Sequence, residues 1–274
     1  MKTRVIAAAV LLPLLLIIVL VLPEIFTALL FGGMAAIAAY ELLYNTRLIN
    51  HYRLVIYSMV MAFMVAMWCY FDQNYAWGLL GVIVFCVCLF GEMMGSHVKI
   101  RFDHLAMCFV AGLIIPFLLT SIVRIHATAK IGRYLVLIPF VLAFASDSGA
   151  YFVGIKFGRH KLAPVISPKK TVEGMVGGVL AAMIVMMIYA VILQLGFKLR
   201  VNYLYALVYG LVCSLGGVFG DLCFSAIKRQ TGIKDYGNLI PGHGGILDRF
   251  DSMMIVGPLA EALILLIPVA VKIW

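Results

Sequence analysis

The residues best suited to chemistry gather between Ser225 and Asp251, in SAIKRQTGIKDYGNLIPGHGGILDRFD, the longest polar interval of the chain. Asp221 stands just upstream. Ser225 follows it by four residues and Lys228 by seven, so on a helix the acid, hydroxyl and ammonium share one stripe. Asp248 and Asp251 are three apart where the next apolar run begins, and a helix starting there projects both carboxylates from one side. Two or three carboxylates converging from separate helices, with room for water and phosphate oxygens, suit Mg²⁺. Asp221, Asp248 and Asp251 are the candidate metal ligands. Structural readings stand beside this one: a salt bridge from Asp221 to Lys228 or Arg229, and helix capping for Asp248 and Asp251.

Lys228, Arg229, Lys234 and Arg249 supply positive charge within the same interval, beside Asp235. In the turn Pro241-Gly242-His243-Gly244-Gly245, glycines let backbone N–H groups approach an anion closely. His243 reads as a donor to phosphate rather than a metal ligand, since no second histidine stands at ligand spacing. Taken together, the interval reads as the floor of a site for phosphates and a divalent metal.

Two further stretches carry polar groups. The loop 156–171, KFGRHKLAPVISPKKT, is basic and has no acid before Glu173. It suits contact with anionic lipid head groups. Ser167, Lys170 and Thr171 also place hydroxyls and an ammonium at a helix N-terminus, a ready phosphate site. Ser146-Asp147-Ser148-Gly149 interrupts an apolar run, and Asp147 there is open to a coupling or a metal role. Glu41 and Glu92 sit toward the cytoplasmic ends of apolar runs, where they are expected to reach the interface. Glu261 lies deeper and is expected to pair within the bundle.

The elements that must hold these groups are membrane helices. Of 274 residues, 65% are hydrophobic and 12% charged, with mean hydropathy +1.10. A soluble domain is roughly 45–50% apolar and 25% charged, so the reading is an all-α, polytopic integral membrane protein. Apolar runs near the ~20 residues needed to span the hydrocarbon predict about nine transmembrane helices, at 5–22, 25–44, 54–71, 76–96, 104–122, 133–155, 172–195, 203–224 and 252–272. Lys2 and Arg4 precede a first run that is longer than a signal core and lacks a small-x-small cleavage site, so a retained span is expected. With the N-terminus inside, fifteen of the 21 Lys and Arg residues are cytoplasmic. Arg124, Lys130, Arg133, Lys198, Arg200 and Lys272 are outside. That bias is the one cytoplasmic loops show, and it puts loops 156–171 and 225–251 on the cytoplasmic side. Residues 1–132 read as N-terminal helices, about five spans, and 133–274 as the catalytic transmembrane region.

Several classes are excluded. The net charge of +9 lies in short loops, which points to membrane orientation and phosphates rather than nucleic acid. The six cysteines lie in or beside apolar runs without zinc spacing or a disulfide framework. No Walker glycine loop ending in Lys-Ser/Thr is present. Gly174, Gly177, Gly178, Gly216, Gly217 and Gly220 put small residues on helix faces where backbones can approach.

The C-terminal segment resembles the phosphatidate cytidylyltransferases, also called CDP-diacylglycerol synthases. The resemblance rests on Ser225, Lys228-Arg229, Lys234-Asp235, Gly237, Pro241, His243-Gly244-Gly245 and Asp248-Arg249-x-Asp251. Gly220-Asp221, Ser146 to Tyr151, and Ser167-Pro168-x-Lys170-Thr171 extend it over roughly residues 143–252. It implies the reaction of CTP with phosphatidate to give CDP-diacylglycerol and pyrophosphate, in a bacterial cytoplasmic membrane with the site facing the cytoplasm. It further implies Mg²⁺ held by Asp221 and Asp248, and homodimers as a common assembly; on the same mechanism Asp251 and Asp147 are expected to support that ion or hold a second cation. Asp221, Asp248, Lys228 and Arg249 become the expected catalytic set. Asp147, Ser167, Lys170, Thr171, Ser225, Arg229, Lys234, Asp235, His243, Gly244 and Gly245 become the expected substrate contacts. The rival classes are a CTP-dependent polyprenol kinase, which transfers the γ-phosphoryl group to an alcohol, and an ion-coupled transporter. The complete signature disfavours the kinase, and the absence of paired broken helices disfavours the transporter.

Overall fold

A computed structural model describes residues 2–71, 75–96, 99–128, 131–240, 242 and 244–272, with side chains from Ala9 onward. Lys130, Pro241, His243, Trp274 and the side chains of Lys2 and Arg4 lie outside the described residues. Among those described, seven helices are long and apolar enough to cross a bilayer. They are α2 (Glu24–Asn45), α3 (Tyr52–Tyr70), α4 (Tyr75–Gly95), α5 (Phe102–Ala127), α6 (Gly132–Phe157), α7 (Val172–Phe197) and α8 (Tyr203–Gln230). Helix α1 (Lys2–Leu20) and helix α10 (Met253–Leu266) stand where the first and ninth spans are expected, and their apolar stretches are shorter. Between α8 and α10 lies the single helical turn α9 (Leu247–Phe250).

The chain forms two compact units. The first combines Met1–Ala127 with Lys228–Phe250, so most of the polar signature is folded together with the N-terminal helices. Helices α2 and α3 pack closely here because Gly32 leaves room: a Cβ there would meet the Phe63 ring at 3.0 Å. Phe31, Leu42, Leu43, Leu54, Leu89 and Leu105 are fully buried in this unit. Phe250 meets Phe31 edge-on, with centroids 6.1 Å apart, and ties the end of the signature to α2.

The second unit combines Thr128–Ile227 with Asp251–Trp274. Its central packing is α6 against α7 along a face of small residues, as in close membrane helix pairs. A Cβ on Gly149 would lie 2.8 Å from the Gly177 carbonyl oxygen and 3.2 Å from Gly178 Cα. Helix α6 runs unbroken through the polar Ser146-Asp147-Ser148-Gly149, in keeping with the expected span 133–155. Glycine's cost in a helix is offset where a neighbouring backbone fills its space.

Among the described residues the fold is all-α apart from two small antiparallel strand pairs. The expected 156–171 loop contains the hairpin β1 (Lys161–Ala163) and β2 (Ser167–Thr171), with Lys161 opposite Thr171. Strand β3 (Leu199–Val201) pairs with β4 (Ala270–Lys272).

Candidate functional site

The first cluster belongs to the second unit and is built by β2 and α8. Thr171 ends β2 and caps α7, its hydroxyl accepting the Gly174 N–H at 3.1 Å. Glu173, in the first turn of α7, accepts the backbone N–H groups of Arg159 and His160 and meets His160 Nδ1 at 2.5 Å. The hairpin is therefore anchored at both ends, and Lys170 projects from a fixed place. Its Nζ stands 2.5 Å from Asp221 Oδ2, with each side chain about a quarter exposed. Ser225 donates to Asp221 Oδ1 at 3.1 Å, as the i, i+4 spacing on α8 predicts. Helix α8 continues to Gln230, beyond the expected span end at 224, so Asp221 is not in its last turn. Its cation is Lys170 rather than the expected Lys228 or Arg229.

The second cluster belongs to the first unit. Asp248 is 6% exposed and bonded on both oxygens. Lys228 Nζ donates to Oδ1 at 2.9 Å, while the backbone N–H groups of Tyr236 and Gly245 donate to Oδ2 at 2.7 and 3.0 Å. The Lys228 ammonium also lies over the ring of fully buried Tyr236, 5.4 Å from its centroid. Gly244 makes this geometry possible. Its φ of +86° is open to glycine at little cost, and a Cβ would stand 2.7 Å from Asp248 Oδ2. Ile240 N–H bonds the Gly244 carbonyl at 2.9 Å and closes the turn.

The other expected contacts take varied positions. Lys234, Asp235, Arg249 and Arg229 are exposed, as is Asp147 on α6, and Ser167 is half-buried on β2. Asp251 accepts the Ser252 N–H at 2.8 Å. Gly245 contributes its N–H to Asp248, a carboxylate of its own chain. Among the described residues, no three His, Cys, Asp or Glu side chains gather into a metal cage.

The model of the cytidylyltransferase family matches residues 2–267. Similarity to phosphatidate cytidylyltransferases is extensive: that of Staphylococcus epidermidis strain RP62A is 36% identical over 187 residues, covering 68% of this chain and 69% of the relative. This chain belongs to the cytidylyltransferase family. The phosphatidate cytidylyltransferase of Bacillus subtilis strain 168 is 42% identical over 157 residues, 57% of either chain. That of Staphylococcus aureus strain COL is 44% identical over 140 residues, covering 51% of this chain and 52% of the relative.

One residue that holds the signature segment of this cytidylyltransferase family member escapes the sequence reading. Glu41, expected at the interface, is 2% exposed. Its carboxylate accepts the N–H groups of Ile246 and Leu247 at 3.0 and 2.9 Å, and those two unsatisfied donors at the start of α9 are the physical reason it turns inward. Glu92 does keep to the surface, where it pairs with Arg53 at 3.4 Å and accepts the Tyr57 hydroxyl at 3.0 Å. The contact from Glu41 crosses 205 positions, and an acid near the end of an apolar run gives no local sign of it.

Proposed function

We propose that this chain is a phosphatidate cytidylyltransferase, converting CTP and phosphatidate into CDP-diacylglycerol and pyrophosphate at the cytoplasmic face of a bacterial inner membrane. Membership of the family supports the nucleotidyl transfer, and the relatives named above support phosphatidate as the acceptor. The observation that carries the reading is the pairing of Asp221 with Lys170 and of Asp248 with Lys228. Both are carboxylate–ammonium pairs set in polar segments of an otherwise apolar helical chain.

The chemistry follows from charge. An oxygen of the lipid phosphate attacks the α-phosphorus of CTP, a new P–O bond forms, and the bond to the β-phosphate oxygen breaks as pyrophosphate leaves with the electron pair. A phosphate monoester has a second pKa of about 6, so the nucleophile is already ionised near neutral pH and no strong base is required. The obstacle is the approach of two anions, which positioned cations lower.

Lys170 and Lys228 are held on carboxylates until phosphate oxygens compete for them. Exposed Lys234 and Arg249 extend the positive surface. Hard carboxylate oxygens that already attract an ammonium fit Mg²⁺, which commonly takes only one or two carboxylates and fills its shell with water and substrate phosphates. Asp221 offers the more accessible oxygens, and Asp248 offers Oδ1, where Lys228 now sits. Bound at either carboxylate, Mg²⁺ would supply charge neutralisation and orientation of the phosphates. Asp251 and Asp147 support that ion or hold a second cation, and a homodimer belongs to the same proposal.

The test uses purified full-length chain in detergent with phosphatidate, Mg²⁺ and CTP labelled at the α- or γ-phosphate. Label from the α position should enter lipid, and γ label should appear in pyrophosphate. Entry of γ label into lipid would indicate a kinase. No labelled lipid from either would overturn the reading.

A further inference from the structure

The last turn of α2 is not α-helical. Glu41–Asn45 form a π turn, whose i→i+5 bonding is rare and recurs at functional sites. Both ends of that turn reach the signature segment within the first unit. Glu41 accepts the N–H groups of Ile246 and Leu247. Asn45 donates through Nδ2 to the Tyr236 carbonyl at 2.8 Å. The Tyr236 N–H meanwhile bonds Asp248, so Tyr236 is gripped on one side by α2 and on the other by the Asp248 carboxylate.

The fit around Glu41 is close. A Cβ on Gly237 would stand 2.5 Å from Glu41 Oε1, and one on Gly245 would overlap the same carboxylate. Glu41 and Asp248 together take four backbone donors, from Tyr236, Gly245, Ile246 and Leu247. Neither Glu41 oxygen is open to a substrate, because the side chain is buried against glycine backbone and already bonded. A structural residue at this point decides where Asp248 and Lys228 stand.

We infer that Glu41 and Asn45 are positioning residues for nucleotidyl transfer, with the π turn of α2 acting as a two-point clamp that holds the 236–248 segment in its reactive arrangement. This rests on the cytidylyltransferase reading, but the clamp itself is measurable without turnover. Losing the clamp leaves the phosphate-binding groups intact and lowers the fraction of molecules in which they are arranged. Apparent affinity for CTP falls by that fraction, while saturating CTP restores most of the rate.

The experiment compares full-length wild type, Glu41→Gln, Glu41→Asp and Asn45→Ala in detergent. It reads CTP kinetics, thermal midpoint and amide hydrogen exchange. In Glu41→Gln, kcat/KM for CTP should fall at least tenfold, chiefly through KM. Exchange across 236–250 should rise at least tenfold, with that in α3 and α5 unchanged. Glu41→Asp should recover part of both effects, and Asn45→Ala should show the same pattern at two- to fivefold. The clamp is overturned if Glu41→Gln keeps kcat/KM within twofold of wild type. It is equally overturned if exchange rises throughout the first unit in both Glu41→Gln and Asn45→Ala, which marks a general folding role. Should wild type transfer no cytidylyl group, the functional reading fails, and the exchange data still report whether the clamp exists.

Discussion

Lys170 Nζ lies 2.5 Å from Asp221 Oδ2, joining a β-hairpin to the C-terminal third of a membrane-length helix. Partial exposure of both side chains keeps the pair exchangeable, since an accessible ion pair contributes only about 0–1 kcal/mol. Asp221→Asn should therefore leave the thermal midpoint within a few degrees of wild type while lowering kcat by roughly 10²–10³-fold, the scale of losing one electrostatic contact to a transition state. Lys170→Ala should cost less, about 10- to 100-fold in kcat/KM, the equivalent of one charge-assisted hydrogen bond. Turnover by Asp221→Asn near the wild-type rate would remove this acid from the site.

Asp248 should behave differently although it shares the motif. It is buried and satisfies Lys228 and two backbone donors, so neutralising it strips a partner from an ammonium whose side chain is only 13% exposed. Breaking one side of such a pair costs on the order of 3–5 kcal/mol. Asp248→Asn should lose turnover and also melt well below Asp221→Asn. The double variant Asp248→Asn with Lys228→Met should regain much of that stability without regaining activity. Equal melting of the two single variants would refute the structural share of Asp248.

The contrast between these two acids shows how far the sequence could be read. Hydropathy located the seven membrane-length helices, and the spacing of Asp221 and Ser225 gave their hydrogen bond, because both features are local. The cation partners were not legible. Lys170, Lys228 and Arg229 are chemically alike, and the choice depends on a hairpin that seats Lys170 beside α8. That hairpin was hidden by Pro168, which demotes a strand assignment, and by strands too short to show alternation. The clamp from Glu41 was hidden by distance along the chain. The polar stretch around Asp147 lies within the expected span 133–155, and α6 is continuous there, with its Gly149 packed on the α7 backbone.

Gly244 and Gly232 offer a matched test of the signature turn. Both adopt left-handed backbone, with φ of +86° and +70°. Alanine at either costs about 1–2 kcal/mol for that conformation. Only at Gly244 would the new Cβ press on Asp248, while at Gly232 nothing lies within 4 Å. Gly244→Ala should therefore lower kcat/KM at least tenfold more than Gly232→Ala, and it should also melt lower. Equal kinetics would mean that the Asp248 oxygen has no fixed position to protect.

The Mg²⁺ proposal is tested most sharply through Ser225, which touches the candidate ligand without being one. Its hydroxyl donates to Asp221 Oδ1 and orients the carboxylate. Removing such an outer partner weakens metal binding by roughly 10–100-fold. Chelation should first abolish turnover in wild type, with added Mg²⁺ restoring it. Ser225→Ala should then need about tenfold more Mg²⁺ for half-maximal rate, while approaching wild-type kcat at saturation. A Mg²⁺ titration unchanged by Ser225→Ala would separate Asp221 from the metal, and turnover that survives chelation would remove the metal altogether. A loss of kcat that excess Mg²⁺ fails to repair would instead assign Ser225 to the substrate.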